Sequence, residues 1–116
     1  MTVLFGIKNC DTVRKARRWL EEHNIPFEFH DVRADGLEPA QVAHWIDSLG
    51  WELVLNKRST SWKKIDDERR KNLDAKRVNA LLVEYPTLIK RPVLEYNGSV
   101  NVGFKPDIYN TIFATQ

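Results

Sequence analysis

Cys10 is the only cysteine in the 116-residue chain, and its neighbours suggest a use for it. It follows a short apolar run, Leu4-Phe5-Gly6-Ile7, and precedes a cationic amphipathic segment beginning Asp11-Thr12-Val13-Arg14-Lys15. The unpaired N–H groups and positive dipole end of a helix start favour the thiolate, the reactive form of a thiol. Lys8, Arg14 and Lys15 add positive charge nearby. Asp11 works the other way, since a carboxylate beside a thiol opposes ionisation unless it caps the helix. Capping is the role expected of Asp11 and Thr12. The alternative for Cys10 is a small buried hydrophobe. Its polar neighbours Lys8, Asn9 and Asp11 argue against the middle of a buried strand. The strand-to-helix position is also where an α/β sheet presents ligands.

Cations from distant segments would complete such a site. Arg91-Pro92 stands directly before a β-prone run. Pro92 is then either a strand-entry residue or the second half of a cis peptide. Arg91 would lie close to the strand ends, where Cys10 also lies. Lys57 and Arg58 sit in a polar loop, Asn56 to Ser61, and are either solvated or anion contacts. The same two readings apply to Lys105. His23, His30 and His44 share no ligand spacing, and the chain has no CxxC, HxxxH or Gly-rich phosphate loop. No metal is expected, and His30 beside Asp31 reads as structural.

The elements that must position these groups follow from periodicity. Thr2 to Ile7 reads as a short buried strand. Val13, Ala16, Trp19 and Leu20 share one helical face, with the helix ending near His23-Asn24 before Pro26. Phe27 to Val32 alternates as a second strand, making a right-handed βαβ unit with two parallel strands. Pro39 opens a helix carrying Val42, Trp45, Ile46 and Leu49, and Gly50 stops it. A short helix is expected around Trp62 to Ile65, and a longer one from Asp74 with Val78, Leu81, Leu82 and Tyr85 in phase, ended by Pro86. Val93 to Tyr96 and Ser99 to Val102 flank Asn97-Gly98, the strongest local hairpin signal. Pro106 opens a last helix carrying Ile108, Ile112 and Phe113. The order β-α-β, helical block, β-β-α is that of an α/β thioredoxin-like fold with a helical insertion. Its mixed four-stranded sheet has helices on both faces. The core is expected over about 1–36 and 87–116, and the insertion over about 37–86, within one domain.

Bulk properties narrow the class. At 42% apolar and 29% charged residues the composition is that of a soluble globular protein. A net charge of +2 is too small to argue for nucleic acid or a membrane surface. No apolar stretch reaches the roughly 20 residues of a membrane span, and no signal peptide is evident. One cysteine permits no internal disulfide, so the expected location is the reducing cytoplasm.

With these residues in place, the chain resembles the ArsC-like family, which includes arsenate reductases and Spx. It is closest to the YffB branch. Gly6-Ile7-Lys8-Asn9-Cys10-Asp11-Thr12 followed by Lys15-Ala16-Arg17-Arg18-Trp19-Leu20 is the specific block; Ile89-Lys90-Arg91-Pro92-Val93 and Gly103-Phe104 are the others. The resemblance covers nearly the whole chain. It implies a thioredoxin-like fold with an inserted helical subdomain and a nucleophilic cysteine at Cys10. Thr12 and Arg14 match polar positions of the cysteine loop, Arg91 a site arginine and Pro92 a cis proline. Arsenate reductases of the family attack arsenate with one cysteine, and glutathione reduces the adduct. Three positions depart from them: Gly6 stands where they carry histidine, and Asn56 and Lys105 where they carry arginine. Lysine keeps the charge but loses the bidentate fork suited to an oxyanion. YffB-like proteins are regarded as glutathione-dependent thiol reductases, which fits a lone cysteine better.

The expected function is therefore that of a glutathione-dependent monothiol reductase acting on a disulfide or glutathione adduct. Cys10 and Arg91 are the catalytic candidates; Lys8, Asn9, Thr12, Arg14, Arg58, Pro92 and Lys105 are the substrate-binding ones. No cofactor is expected to be bound, and glutathione serves as co-substrate. Glutathione-dependent arsenate reduction is the alternative enzyme reading. A non-catalytic Spx-like binding module is the alternative of another class. Spx binds RNA polymerase, but Spx-type proteins carry a Cys-x-x-Cys switch that Val13 removes here.

Overall fold

A computed structural model of the chain describes residues 1–114. Its elements are β1 (Thr2–Gly6), α1 (Asp11–Glu22), β2 (Glu28–Asp31), α2 (Val32–Asp35), α3 (Pro39–Leu49), α4 (Trp51–Val54), α5 (Thr60–Lys63) and α6 (Ala75–Glu84), then a 3-10 turn at Pro86–Leu88, β3 (Val93–Tyr96), β4 (Ser99–Val102) and α7 (Pro106–Phe113). They divide into two compact units, one from Met1–His30 with the residues from Arg91 onward, the other Asp31–Lys90.

The first unit holds a mixed four-stranded sheet in the order β2-β1-β3-β4. β1 pairs antiparallel with β3, Phe5 opposite Val93 and Thr2 opposite Tyr96. β3 pairs antiparallel with β4, Val93 opposite Val102. The hairpin turn is the expected one: Asn97 (φ 50°) and Gly98 (φ 81°) both adopt the left-handed conformation that a type I′ turn requires. Leu4 and Leu94 pack with Ala16, Trp19 and Leu20 of α1 and Tyr109 and Phe113 of α7. Each such large side chain removed from water stabilises the fold by roughly 1.5–3 kcal/mol. The rings interlock edge to face, Tyr109 standing at 90° to Trp19 with centroids 5.4 Å apart and at 89° to Phe104 at 4.7 Å. The Tyr109 hydroxyl is buried with no hydrogen-bond partner among the described residues, and burial pushes its pKa up.

Three expectations here need correction. The second strand stops at Asp31, not Val32, because the Asp31 carboxylate accepts from the N–H groups of Arg33 (2.9 Å) and Ala34 (3.0 Å) and starts the helical turn α2. On α7 the buried residues are Tyr109 and Phe113, whereas Ile108 is 49% exposed. Asp11 and Thr12 do not cap α1; Cys10 is its N-cap residue, with no side-chain capping bond.

In the Asp31–Lys90 unit, α3 and α6 supply buried Val42, Trp45, Ile46, Val78, Leu81 and Leu82. Asp74 caps α6 by accepting from the Arg77 N–H at 2.8 Å. Residues 54–56 and 88–90 are tied together, with Lys90 N–H donating to the Val54 carbonyl and Asn56 N–H to that of Leu88, both 2.8 Å. The short helix expected at Trp62 to Ile65 begins earlier, at Thr60, because buried Ser59 is its cap: its Oγ accepts from Ser61 N–H (3.2 Å) and donates to the Thr87 carbonyl (3.1 Å). α4 had no counterpart in the sequence reading; it follows Gly50, whose φ of 88° ends α3.

Candidate active site

Chain direction assembles the candidate residues. β1 and β4 both run antiparallel to β3, so they point the same way, and the helices that follow them, α1 and α7, start at one end of the sheet. At that end β1 passes through an exposed turn, Lys8-Asn9, into Cys10. Cys10 has extended backbone angles (φ −131°, ψ 122°), and its carbonyl accepts the first helical hydrogen bond, from Arg14 N–H at 2.9 Å. The Cys10 side chain is half-buried and in no disulfide. Half-buried Thr12 follows in the first turn of α1.

Gly6 brings α1 close to β1. A Cβ at Gly6 would lie 2.7 and 2.9 Å from the two methyl carbons of fully buried Val13. The absence of that Cβ lets the helix seat with Cys10 at its tip.

Arg91 and Pro92 precede β3 at this same end, since Val93 lies opposite Phe5. Their peptide bond is cis. Pro92 is buried and its carbonyl accepts from Gly103 N–H at 2.9 Å, which fixes it to the segment leaving β4. Arg91 is half-buried. Lys105, exposed, is the N-cap residue of α7. The sheet thus gathers Lys8, Asn9, Cys10, Thr12, Arg14, Arg91, Pro92 and Lys105 at one end.

Two residues have other ties. The Arg14 guanidinium pairs with the Asp11 carboxylate, so the acid beside the thiol is neutralised within the first helical turn. Both side chains are more than half exposed, so the pair adds little stability. Arg58 belongs to the Asp31–Lys90 unit, in a pocket lined by Trp51, Glu52, Leu55, Asn56, Lys57 and Lys90. Its backbone N–H donates to Asn56 Oδ1 at 3.0 Å. Sequence reasoning passed over Lys90 and Trp51 there. The Lys57 ammonium stands 6.0 Å from the Trp51 ring centroid and 5.8 Å from that of Trp62. Among the described residues no three His, Cys, Asp or Glu side chains group as a metal site, and no helix is long and apolar enough to cross a membrane.

A cysteine between a first strand and its helix, a cis proline entering the antiparallel third strand, and helices flanking a 2-1-3-4 sheet define a thioredoxin-like protein. Within that class the chain belongs to the ArsC family, whose model matches residues 5–112. A solved YffB protein is 43% identical and superposes with a TM-score of 0.93, over 96% of this chain and 97% of that one. An uncharacterized protein of Haemophilus influenzae is 42% identical over 114 residues, 98% of this chain and 100% of the relative. The global transcriptional regulator Spx of Streptococcus pneumoniae is 27% identical over 114 residues, 92% of this chain and 81% of Spx.

Proposed function

We propose that the protein is a glutathione-dependent monothiol reductase. The observation that carries this reading is the position of Cys10 at the α1 N-terminus, on the sheet end shared with Arg91, cis Pro92 and Lys105. The Cys10 thiolate attacks the glutathionyl sulfur of a mixed disulfide, and the substrate thiolate leaves and takes a proton. A second glutathione thiolate then attacks the Cys10 adduct, releasing glutathione disulfide and regenerating Cys10. Resolution is external because Val13 stands where a Cys-x-x-Cys pair would have its second thiol.

Arg91 and Lys105 are the cations that hold the glutathione carboxylates. Arg14 is shared with Asp11 and contributes less. Lys8, Asn9 and Thr12 border the thiol from its own loop. The Pro92 carbonyl is taken up by Gly103, so backbone recognition of the tripeptide falls to Arg91.

The test is intact-mass measurement after incubation with oxidised glutathione, with a turnover assay beside it. One glutathione adduct, absent from Cys10→Ser, together with loss of thiol transfer in that variant, supports the reading. Unchanged turnover in Cys10→Ser refutes it. The similarity to Spx favours one other reading, a regulatory binding module, for which recovery of RNA polymerase subunits in a pull-down without thiol-transfer activity would be the mark.

A further inference from the structure

We propose that the exposed face of the first two turns of α1 is a docking surface for an acidic segment of the protein whose disulfide or glutathione adduct Cys10 reduces; this rests on the thiol-exchange reading above. Residues 8–18 carry five cations, Lys8, Arg14, Lys15, Arg17 and Arg18, against one carboxylate, Asp11. The chain as a whole has a net charge of only +2, so the rest of it is net negative. Positive charge is concentrated beside the thiol.

The placement works against the helix itself. Arg14 and Arg18 are four residues apart and Lys15 and Arg18 three apart, like-charge neighbours that repel. Glu21 and Glu22 stand at the negative end of the helix dipole and no base lies in the last turn, so moving cations there would stabilise α1. Arg14 is partly neutralised by Asp11, and the Arg17 guanidinium lies 4.4 Å from the Phe29 ring centroid. Lys8, Lys15 and Arg18 are exposed and enter none of the ion pairs among the described residues.

The dimensions select the partner. The positive face runs from the Lys8 turn to Arg18 and stops at Glu21, a helical length of roughly 12 Å at 1.5 Å per residue. That suits a few acidic residues of a protein beside the reacting sulfur and is short for a nucleic acid duplex. Lys105, at the start of α7 on the same sheet end, extends the field. Fields of one sign beside a reacting group raise encounter rates by about 10–1,000-fold and are screened as salt rises.

The experiment compares two glutathionylated peptides of equal length, one with acidic and one with basic flanks, and the small neutral hydroxyethyl disulfide. Wild type should favour the acidic peptide in kcat/KM by about tenfold at low salt, the preference vanishing at ~0.5 M salt. Arg18→Glu should cut the preference at least about threefold and leave hydroxyethyl disulfide turnover within about twofold of wild type. Equal rates for the two peptides at low salt, with hydroxyethyl disulfide still reduced, overturn the docking surface and leave the thiol reading intact. If no disulfide is reduced, the thiol reading alone fails. Fluorescence anisotropy of the acidic peptide on Cys10→Ser then decides the surface: binding lost with Lys15→Glu and Arg18→Glu supports it, and no binding overturns it. A DNA duplex bound more tightly than the acidic peptide also overturns it.

Discussion

Replacing Gly6 with alanine sets two effects against each other. Gly6 has no positive φ, so alanine fits the backbone and would by itself gain about 0.5–1 kcal/mol by restricting the unfolded chain. Against this, the new Cβ would meet the Val13 methyls at 2.7 and 2.9 Å, whereas ordinary contact begins near 3.4 Å. Val13 cannot yield cheaply. It is β-branched, held near one rotamer in the first turn of α1, and fully buried. The overpacking cost of about 1–3 kcal/mol wins, and the expected net loss is about 1–2 kcal/mol. Val13→Ala alone should cost about 1–3 kcal/mol for the two methyls removed. The double variant should be more stable than the sum of the singles by about 1–2 kcal/mol, since alanine at 13 vacates the space that alanine at 6 fills. Urea unfolding of all four proteins measures the cycle. Additivity within about 0.5 kcal/mol would refute the argument that this contact seats α1.

Tyr109→Phe should stabilise the protein by about 1 kcal/mol, since it removes a buried hydroxyl without a partner and keeps the ring contacts; a loss in urea unfolding would mean the hydroxyl is satisfied. Burial raises the Tyr109 pKa in the folded state, so the native protein holds that proton more tightly than the unfolded chain. The associated stability is complete below about pH 10 and is lost as pH rises above it, so the advantage of Tyr109→Phe should widen in alkaline melts. Gly98→Ala places a Cβ at φ 81° in the hairpin turn and should cost about 1–2 kcal/mol, read as a lower urea midpoint with an unchanged slope. Asp74→Ala removes the cap on α6 and should cost about 1 kcal/mol, while Asp74→Asn should largely restore it.

Much of the fold was legible because local signals and tertiary packing agree. The hairpin needed only Asn97-Gly98 between two β-prone runs, and both strand ranges match. On α1 the apolar spacing of Val13, Ala16, Trp19 and Leu20 names the residues the structure buries. Errors fell where a side chain competes with the regular pattern. Val32 reads as strand by apolarity, but Asp31 diverts two N–H groups into a helical turn. Ser59 starts α5 early through a bond to Thr87, twenty-eight residues away and invisible to local reading. Ile108 fits the α7 stripe, yet Tyr109 is the residue that finds partners in Trp19 and Phe104. At the candidate site, Cys10 stood out as a lone thiol at an element boundary, and its place at the sheet end where Arg91 and Lys105 also lie followed from strand directions. The Asp11–Arg14 pair was missed because capping and ion pairing use the same residue types.

The sheet order sets a timetable for synthesis. Of the four strands in the sheet β1 is made before its partners, yet it lies inside the sheet, and its β3 neighbour comes so late that Thr2 waits for Tyr96. One edge of β1 can pair with β2 early, but the other keeps its backbone groups unpaired until Val93–Tyr96 is out. Closing so long a loop makes this the slow pairing. During that interval the open edge of β1 offers a template for another nascent chain. Crowding or slow translation between residues 30 and 90 would therefore lower the yield of native protein without altering its final stability.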